Sequence, residues 1–427
     1  MAKVSREIQP VRTVAGKVRI PGSKSITHRA LLMAALADGE STILNPLNAE
    51  DTLLTAGALE QLGAAITRAT DQFTVKPPAR RWRSPDEPIK LGNSGTSMRL
   101  LPPLAAAGEG TFVFDGTDRL RERPIGPVVD ALGQLGTECI YRGTPGFPPV
   151  EIRGRGLRGG EVTVDARQSS QFLSALLIAA PLAEREMRIR WLDPVASYPY
   201  VALTLAMMEQ KAIRVERVGS NEVVIPAPQV YPAMHYEVEG DCSSASYFWA
   251  AAAIMGGTVT TFPIHPESHQ GDRRLLDVLE SMGCRVRWEG NGVQVTGPDG
   301  LRAITLDMNR IPDMVPTLAV VAAFAEGATR ITNVAHLRIK ESDRLSVVAG
   351  ELSKFGVPVE ELEDGLVIEG GRVGAPSGPI DAHDDHRIAM AFALMGLRVF
   401  GVVIDGSESV AKSFPSFWEL FESICRV

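Results

Sequence analysis

The sequence predicts an α/β protein of two domains, each assembled from three copies of one unit, with one domain discontinuous along the chain. Three observations carry this. Six segments repeat at nearly constant spacing, a second helical pattern with a Gly stop falls between them, and the last copy is cut short. The 427 residues alone give a prior of just under three domains, at roughly 150 residues each. The repeat replaces that prior with two domains of three units.

In chain order the six segments are GSKSITHRALLMAALADGESTI (22–43), GNSGTSMRLLPPLAAAGEGTFVF (92–114), SSQFLSALLIAAPLAEREMRI (169–189), CSSASYFWAAAAIMGGTVT (242–260), PDMVPTLAVVAAFAEGATRI (312–331) and DDHRIAMAFALMGLRVFGVVI (384–404). Each has a polar lead suited to capping, an Ala/Leu-rich helix, usually a Gly stop, then a β-branched run. Ser25, Ser97, Ser170, Ser244, Val315 and Arg387 recur at steps of 72, 73, 74, 71 and 72. Between them, ALEQLGAAI, ALGQLGTECI, VLESMGCRV and ELSKFGVPV each close a helix on a Gly that can adopt the left-handed conformation before a strand. The third copy, MMEQKAIRV, lacks the Gly. Ending at FWELFESICRV, the last unit is incomplete, while VRTVAGKVRIP precedes the first without a helix, so the N-terminal strand is expected to complete it. The domains then span 1–20 with 241–427, and 21–240.

Composition narrows the class. Apolar residues at 44% and charged residues at 22% are near the globular average. Lys and Arg number 44 against 51 Asp and Glu, a balance of −7, so no basic field for nucleic acid exists. Four scattered cysteines read as reduced thiols. With no apolar leader and no long apolar run, the expectation is a cytoplasmic, membrane-free chain, and no exposed heptad or long apolar stretch suggests more than a monomer.

The chemistry-bearing residues cluster at the polar leads. A helix start offers free N–H groups and a positive dipole end, so several converging starts would form an anion-attracting funnel. PGSKSITHR places Lys24, Ser25 and Arg29 within one loop and helix turn. A nucleotide-hydrolase phosphate loop would need Gly where Ser23 and Val18 stand, so that reading fails. LGNSGTSMR lets the backbone approach a ligand at Gly92 and Gly95, and RERPIG adds Arg121 and Arg123. RIKESDRL is the densest, with Arg338, Lys340, Glu341, Asp343 and Arg344, while DDHR and AKSFP add Arg387 and Lys412. DAHDDH could suggest a metal, but capping of a repeated helix start explains its acids. The fourth lead, CSSASYFW, carries no cation and reads as structural.

Taken in order, PGSKS-x3-R, GN-x-GT-x-MR, RERPIG, SSQFL-x-ALL, PDM-x-PTL, IKESDRL, DDHR and AK-x-FP resemble the 5-enolpyruvylshikimate-3-phosphate synthase family over essentially the whole chain. The resemblance implies the enolpyruvyl transferase fold: two inside-out α/β domains, each of three βαβαββ repeats, closing over the substrates. It implies transfer of the enolpyruvyl group of phosphoenolpyruvate to the 5-hydroxyl of shikimate 3-phosphate, with no metal or organic cofactor. By the same resemblance, shikimate 3-phosphate is held by Lys24, Ser25, Arg29, Ser169, Ser170, Gln171, Ser197, Asp313, His336 and Lys340. Phosphoenolpyruvate is held by Lys24, Gly95, Arg123, Gln171, Arg344, Arg387 and Lys412. Asp313, Glu341 and Lys24 are the implied acid/base groups. His336 departs from the family, which often has Asn there. Gly95 is the small residue that accompanies glyphosate sensitivity. The sister family acting on UDP-N-acetylglucosamine typically carries a reactive Cys in the loop matching residues around 110–123, and TFVFDGTDRLRER has none. A non-catalytic anion-binding repeat protein would gain nothing from Asp313 and Glu341 among the cations.

Overall fold

The computed structural model describes residues 3–79 and 82–426. The chain divides into two compact units: Lys24–Val238, continuous in sequence, and a second built from the chain up to Ser23 together with the chain from Glu239 onward. These limits fall a few residues from the 20/21 and 240/241 of the sequence reading, because the two passages of the chain pair with each other. Ser23 N donates to Glu239 O at 2.8 Å, Asp241 N donates to Pro21 O at 2.9 Å, and Gly22 bridges Gly240.

Each unit has helices inside and sheets outside. In the continuous unit the first helix of each repeat is α1 (Lys24–Ala35), α2 (Gly95–Leu100) and α3 (Ser170–Ala179). In the other unit they are α4 (Cys242–Met255), α5 (Val315–Ala323) and α6 (His386–Ala393). Every residue of α5 and α6 is buried, as are all of α3 but Gln171 and all of α4 but Met255. A helix apolar on every side has no solvent face and must be core. The high Ala and Gly content lets such helices pack closely, and it explains the low aromatic share.

The sheets repeat one plan. Ile89–Lys90 runs parallel to Glu109–Asp115, which pairs antiparallel with Val150–Arg155, itself antiparallel to Glu138–Tyr141. With the intervening helices, this is βαβαββ. Gly160–Asp165, Met187–Leu192, Glu222–Ile225 and Glu216–Arg217 repeat it. The first repeat borrows its leading strand from the far end of its unit, His235–Glu237 lying parallel to Ser41–Leu44.

The N-terminal segment joins the last unit as the sequence leads one to expect, but it divides into two strands and one of them also serves the fourth repeat. Thr13–Arg19, within VRTVAGKVRIP, runs parallel to Thr258–Phe262 and leads the fourth repeat. The paired passages at Gly22 and Gly240 bring its end beside the start of α4. On its other edge Thr13–Arg19 pairs antiparallel with Cys425–Arg426, the end of the last unit, while Ser5–Ile8 completes the sheet of that unit, antiparallel to Val402–Asp405. No helix of the described residues is long and apolar enough to cross a membrane.

Candidate active site

Polar caps open the buried helices as the repeated leads require. Ser94 accepts from Ser97 N, Ser169 from Gln171 N, Asp241 from Ser243 N and Asp385 from Arg387 N. Each cap satisfies one N–H that the helix cannot bond itself. The functional side chains sit on or beside these starts.

In the continuous unit, Lys24 begins α1 and its Nζ lies 3.1 Å from the buried Asp51 Oδ2. Arg29, one turn on, is buried and spends its donors internally. Its Nε donates to Thr204 Oγ1 at 2.7 Å, Nη1 to Ser25 O at 2.9 Å, and Nη2 to Tyr200 O at 3.1 Å and Ser174 Oγ at 3.2 Å. Burial brings its pKa down to about 10, which still leaves it charged at neutral pH. Ser197 stands just before the helix Pro199–Gln210 that carries Tyr200 and Thr204, in the left-handed region at φ 57°.

A second knot joins α2 to α3. Arg99 Nη1 donates to Gln171 Oε1 at 2.9 Å and lies 3.4 Å from Ser169 Oγ, while its Nε donates to Pro124 O at 3.2 Å. Gln171 Nε2 donates to Thr96 Oγ1 at 3.0 Å. Gln171 is the one residue of α3 that is not buried, with Ser170 buried beside it. Arg123 Nη1 reaches Asn93 O at 3.1 Å and Asn93 Oδ1 at 3.3 Å. At Gly95 a Cβ would fall 2.5 Å from Arg123 Nη2, so only Gly leaves room for that guanidinium. A buried hydroxyl chain links the two knots: His28 Nδ1 to Thr55 Oγ1 at 2.8 Å, then Thr55 Oγ1 to Ser97 Oγ at 2.6 Å.

The discontinuous unit holds a carboxylate–guanidinium network centred on Arg344, which is 1% exposed. Arg344 Nε donates to Asp385 Oδ2 at 2.7 Å, Nη1 to Asp313 Oδ1 at 3.0 Å and Nη2 to Glu341 Oε2 at 2.8 Å. Arg387 Nη2 donates to the other Asp313 oxygen at 2.9 Å. Burial alone would raise the Asp313 pKa, but the charges of Arg387, Lys340 and Arg344 outweigh it and hold the carboxyl well below the usual range. Arg344 is correspondingly held charged against its own burial by Asp385, Glu341 and Asp313.

Lys340 enters through its field, acting on both Asp313 and His336. Burial, and then the Lys340 charge, push the pKa of His336 down to about 3, so its imidazole is neutral at physiological pH. Lys412 is buried at the end of the turn Ser407–Lys412, which packs on α6. Three cations, Lys340, Arg344 and Arg387, stand against three carboxylates, Asp313, Glu341 and Asp385.

Thus direct bonds join Asp313, Glu341, Arg344 and Arg387 in one unit, and Gly95, Arg123, Ser169 and Gln171 gather around Asn93, Thr96 and Arg99 in the other. Sequence reasoning missed Asp51 as the partner of Lys24. Its only signal was an acid in the first turn of the helix Glu50–Gln61. It also read Asp385 as a cap alone, whereas one carboxylate both caps α6 and braces Arg344. The fourth lead adds Tyr247, a buried hydroxyl whose pKa burial pushes up to about 12 against the opposing field of Arg387 and Arg344.

The sequence model of the EPSP synthase family (3-phosphoshikimate 1-carboxyvinyltransferase) matches residues 8–421. The 3-phosphoshikimate 1-carboxyvinyltransferase of Syntrophobacter fumaroxidans is 57% identical over 98% of this chain and 99% of its own. That of a Sulfurovum species is 44% identical over 98% of both chains. Among solved structures, EPSP synthase from Acinetobacter baumannii superposes with a TM-score of 0.81 at 31% identity, covering 99% of this chain and 98% of that one.

Proposed function

This chain belongs to the EPSP synthase family, and from that premise we propose how its own residues carry the family's reaction, transfer of the 1-carboxyvinyl group of phosphoenolpyruvate to shikimate 3-phosphate with release of phosphate. Each substrate brings a carboxylate and a phosphate, the latter worth about −1.5 to −2 charges at neutral pH. Bringing two such anions together needs many preorganised cations. Lys24, Arg29 and Arg123 come from the continuous unit; Lys340, Arg344, Arg387 and Lys412 come from the other. Shikimate 3-phosphate is assigned to Lys24, Ser25, Arg29, Ser169, Ser170, Gln171, Ser197, Asp313, His336 and Lys340. Phosphoenolpyruvate is assigned to Lys24, Gly95, Arg123, Gln171, Arg344, Arg387 and Lys412.

One observation carries the mechanistic reading: the two carboxylates proposed as bases neutralise the same guanidiniums proposed to clamp phosphoenolpyruvate. Bound so, Asp313 is too weak a base to accept a proton. When phosphoenolpyruvate draws Arg344 and Arg387 onto its own anionic groups, Asp313 loses part of the field that depresses its pKa. Binding and base activation become one event. Addition moves a proton from the 5-hydroxyl to Asp313 while the methylene carbon of phosphoenolpyruvate gains one and C2 takes the 5-oxygen. Elimination removes a proton from the new methyl and expels phosphate, with Glu341 or Lys24 serving at that carbon. Phosphate is already a good leaving group, so these steps need only proton transfer and charge stabilisation.

Glu341→Gln keeps the shape of the side chain and its reach to Arg344 but cannot take a proton. The expected outcome is turnover reduced by about 10²-fold or more, with shikimate 3-phosphate affinity by calorimetry nearly intact. Affinity lost in parallel with turnover would make Glu341 a structural brace of Arg344 instead.

A further inference from the structure

Arg121 and Arg123 sit together in RERPIG, yet the structure gives them different work. Asp115 ends the strand Glu109–Asp115 and is 5% exposed. Its carboxylate takes a fork from Arg121, Nε to Oδ1 at 2.9 Å and Nη2 to Oδ2 at 2.9 Å, plus Gly116 N at 2.8 Å and the Lys90 ammonium. The Arg121 hydrogen bonds, against the opposing effect of burial, hold Asp115 well below the usual carboxylate range. A bidentate pair fixes direction as well as distance.

What this fork fixes is the short helix Asp118–Arg121 and the residues after it. Thr117 caps that helix and its own N–H donates to Gly92 O at 2.8 Å. Asp115 O accepts from Leu91 N at 2.8 Å, so the loop before α2 hangs on the same residue. Gly116 has no space for a side chain, being pressed between Gly92 O and Leu120. Arg123 N donates to Leu120 O at 3.0 Å, and the Arg123 guanidinium then lies on Asn93 and over Gly95. A closed circuit therefore runs from Asp115 through Arg121 and Arg123 to Asn93, Gly92 and back.

We propose that Asp115, through its fork with Arg121 and its contact with Lys90, is a positioning residue that holds Arg123 in place for the anionic end of phosphoenolpyruvate. The proposal rests on reading Arg123 as a phosphoenolpyruvate ligand. Arg121 spends its fork on Asp115 and its side chain is 43% exposed, so replacing it leaves the core whole.

The test compares Asp115→Asn, Arg121→Gln and Arg121→Lys in the full chain. The Michaelis constant for phosphoenolpyruvate should rise by about tenfold or more in all three, a typical cost of slight misplacement. Shikimate 3-phosphate affinity should not move. Arg121→Lys keeps the charge but not the fork, and should behave like Arg121→Gln; a wild-type constant for it would overturn the proposal. Parallel loss for both substrates would also overturn it, by showing general damage. Amide hydrogen exchange over residues 116–123 in the ligand-free protein should quicken in each variant. Unchanged exchange would refute the lock even if wild-type protein failed to turn over this substrate pair, an outcome that would instead sink the functional reading.

Discussion

His336 is neutral because burial, and then the charge of Lys340, disfavour its protonated form. That has a measurable cost. The unfolded chain binds a proton near pH 6.5, whereas the folded imidazole does so only near about 3. Between those values the unfolded state holds more protons, so stability falls as pH falls, by about 1.4 kcal/mol for each pH unit inside the window. His336→Asn removes the titration. In denaturant melts at pH 7 and pH 4.5, wild type should lose about 2 kcal/mol more than the variant. Equal losses would show that His336 titrates normally. Asp313 runs the same way in a more acidic window: its low pKa stabilises the fold above the unfolded carboxylate value, and that stability is lost as pH falls through the folded one. In the residues themselves, the cations were legible from sequence. Their partners Asp51, Asp115 and Asp385 were not assigned as such, because a carboxylate at a helix start or strand end looks like a cap until the chain is folded.

At the scale of elements, α2 begins at the residue that must be small. Gly95 has an ordinary helical position, so Ala there is compatible with the backbone and improves intrinsic helix propensity. Its Cβ, however, would occupy the place of the Arg123 guanidinium. Gly95→Ala should therefore leave thermal stability unchanged or higher, leave shikimate 3-phosphate affinity intact, and raise the Michaelis constant for phosphoenolpyruvate by about tenfold or more. Inhibition by glyphosate should weaken alongside, as expected if both anions use the same guanidinium. Unaltered phosphoenolpyruvate kinetics would mean that Arg123 moves aside freely. The repeated helices were readable because a helix buried on all sides must be small and apolar along its whole length, and six such stretches stand out. The strands were less so. Ser5–Ile8 and Thr13–Arg19 each pair with a segment hundreds of residues away, and local sequence does not say which takes the sixth sheet and which the fourth.

For the whole molecule, a chain of net charge −7 gathers its useful cations at a few helix starts and loops in two units. In the discontinuous unit Lys340, Arg344 and Arg387 are balanced by Asp313, Glu341 and Asp385. Phosphoenolpyruvate and shikimate 3-phosphate are proposed as the pair that displaces this internal balance. Steady-state phosphate release tests that proposal most directly. Release is expected only when both substrates are present, with glyphosate competing against phosphoenolpyruvate. Release that proceeds with UDP-N-acetylglucosamine in place of shikimate 3-phosphate, or no release with either acceptor, would contradict it.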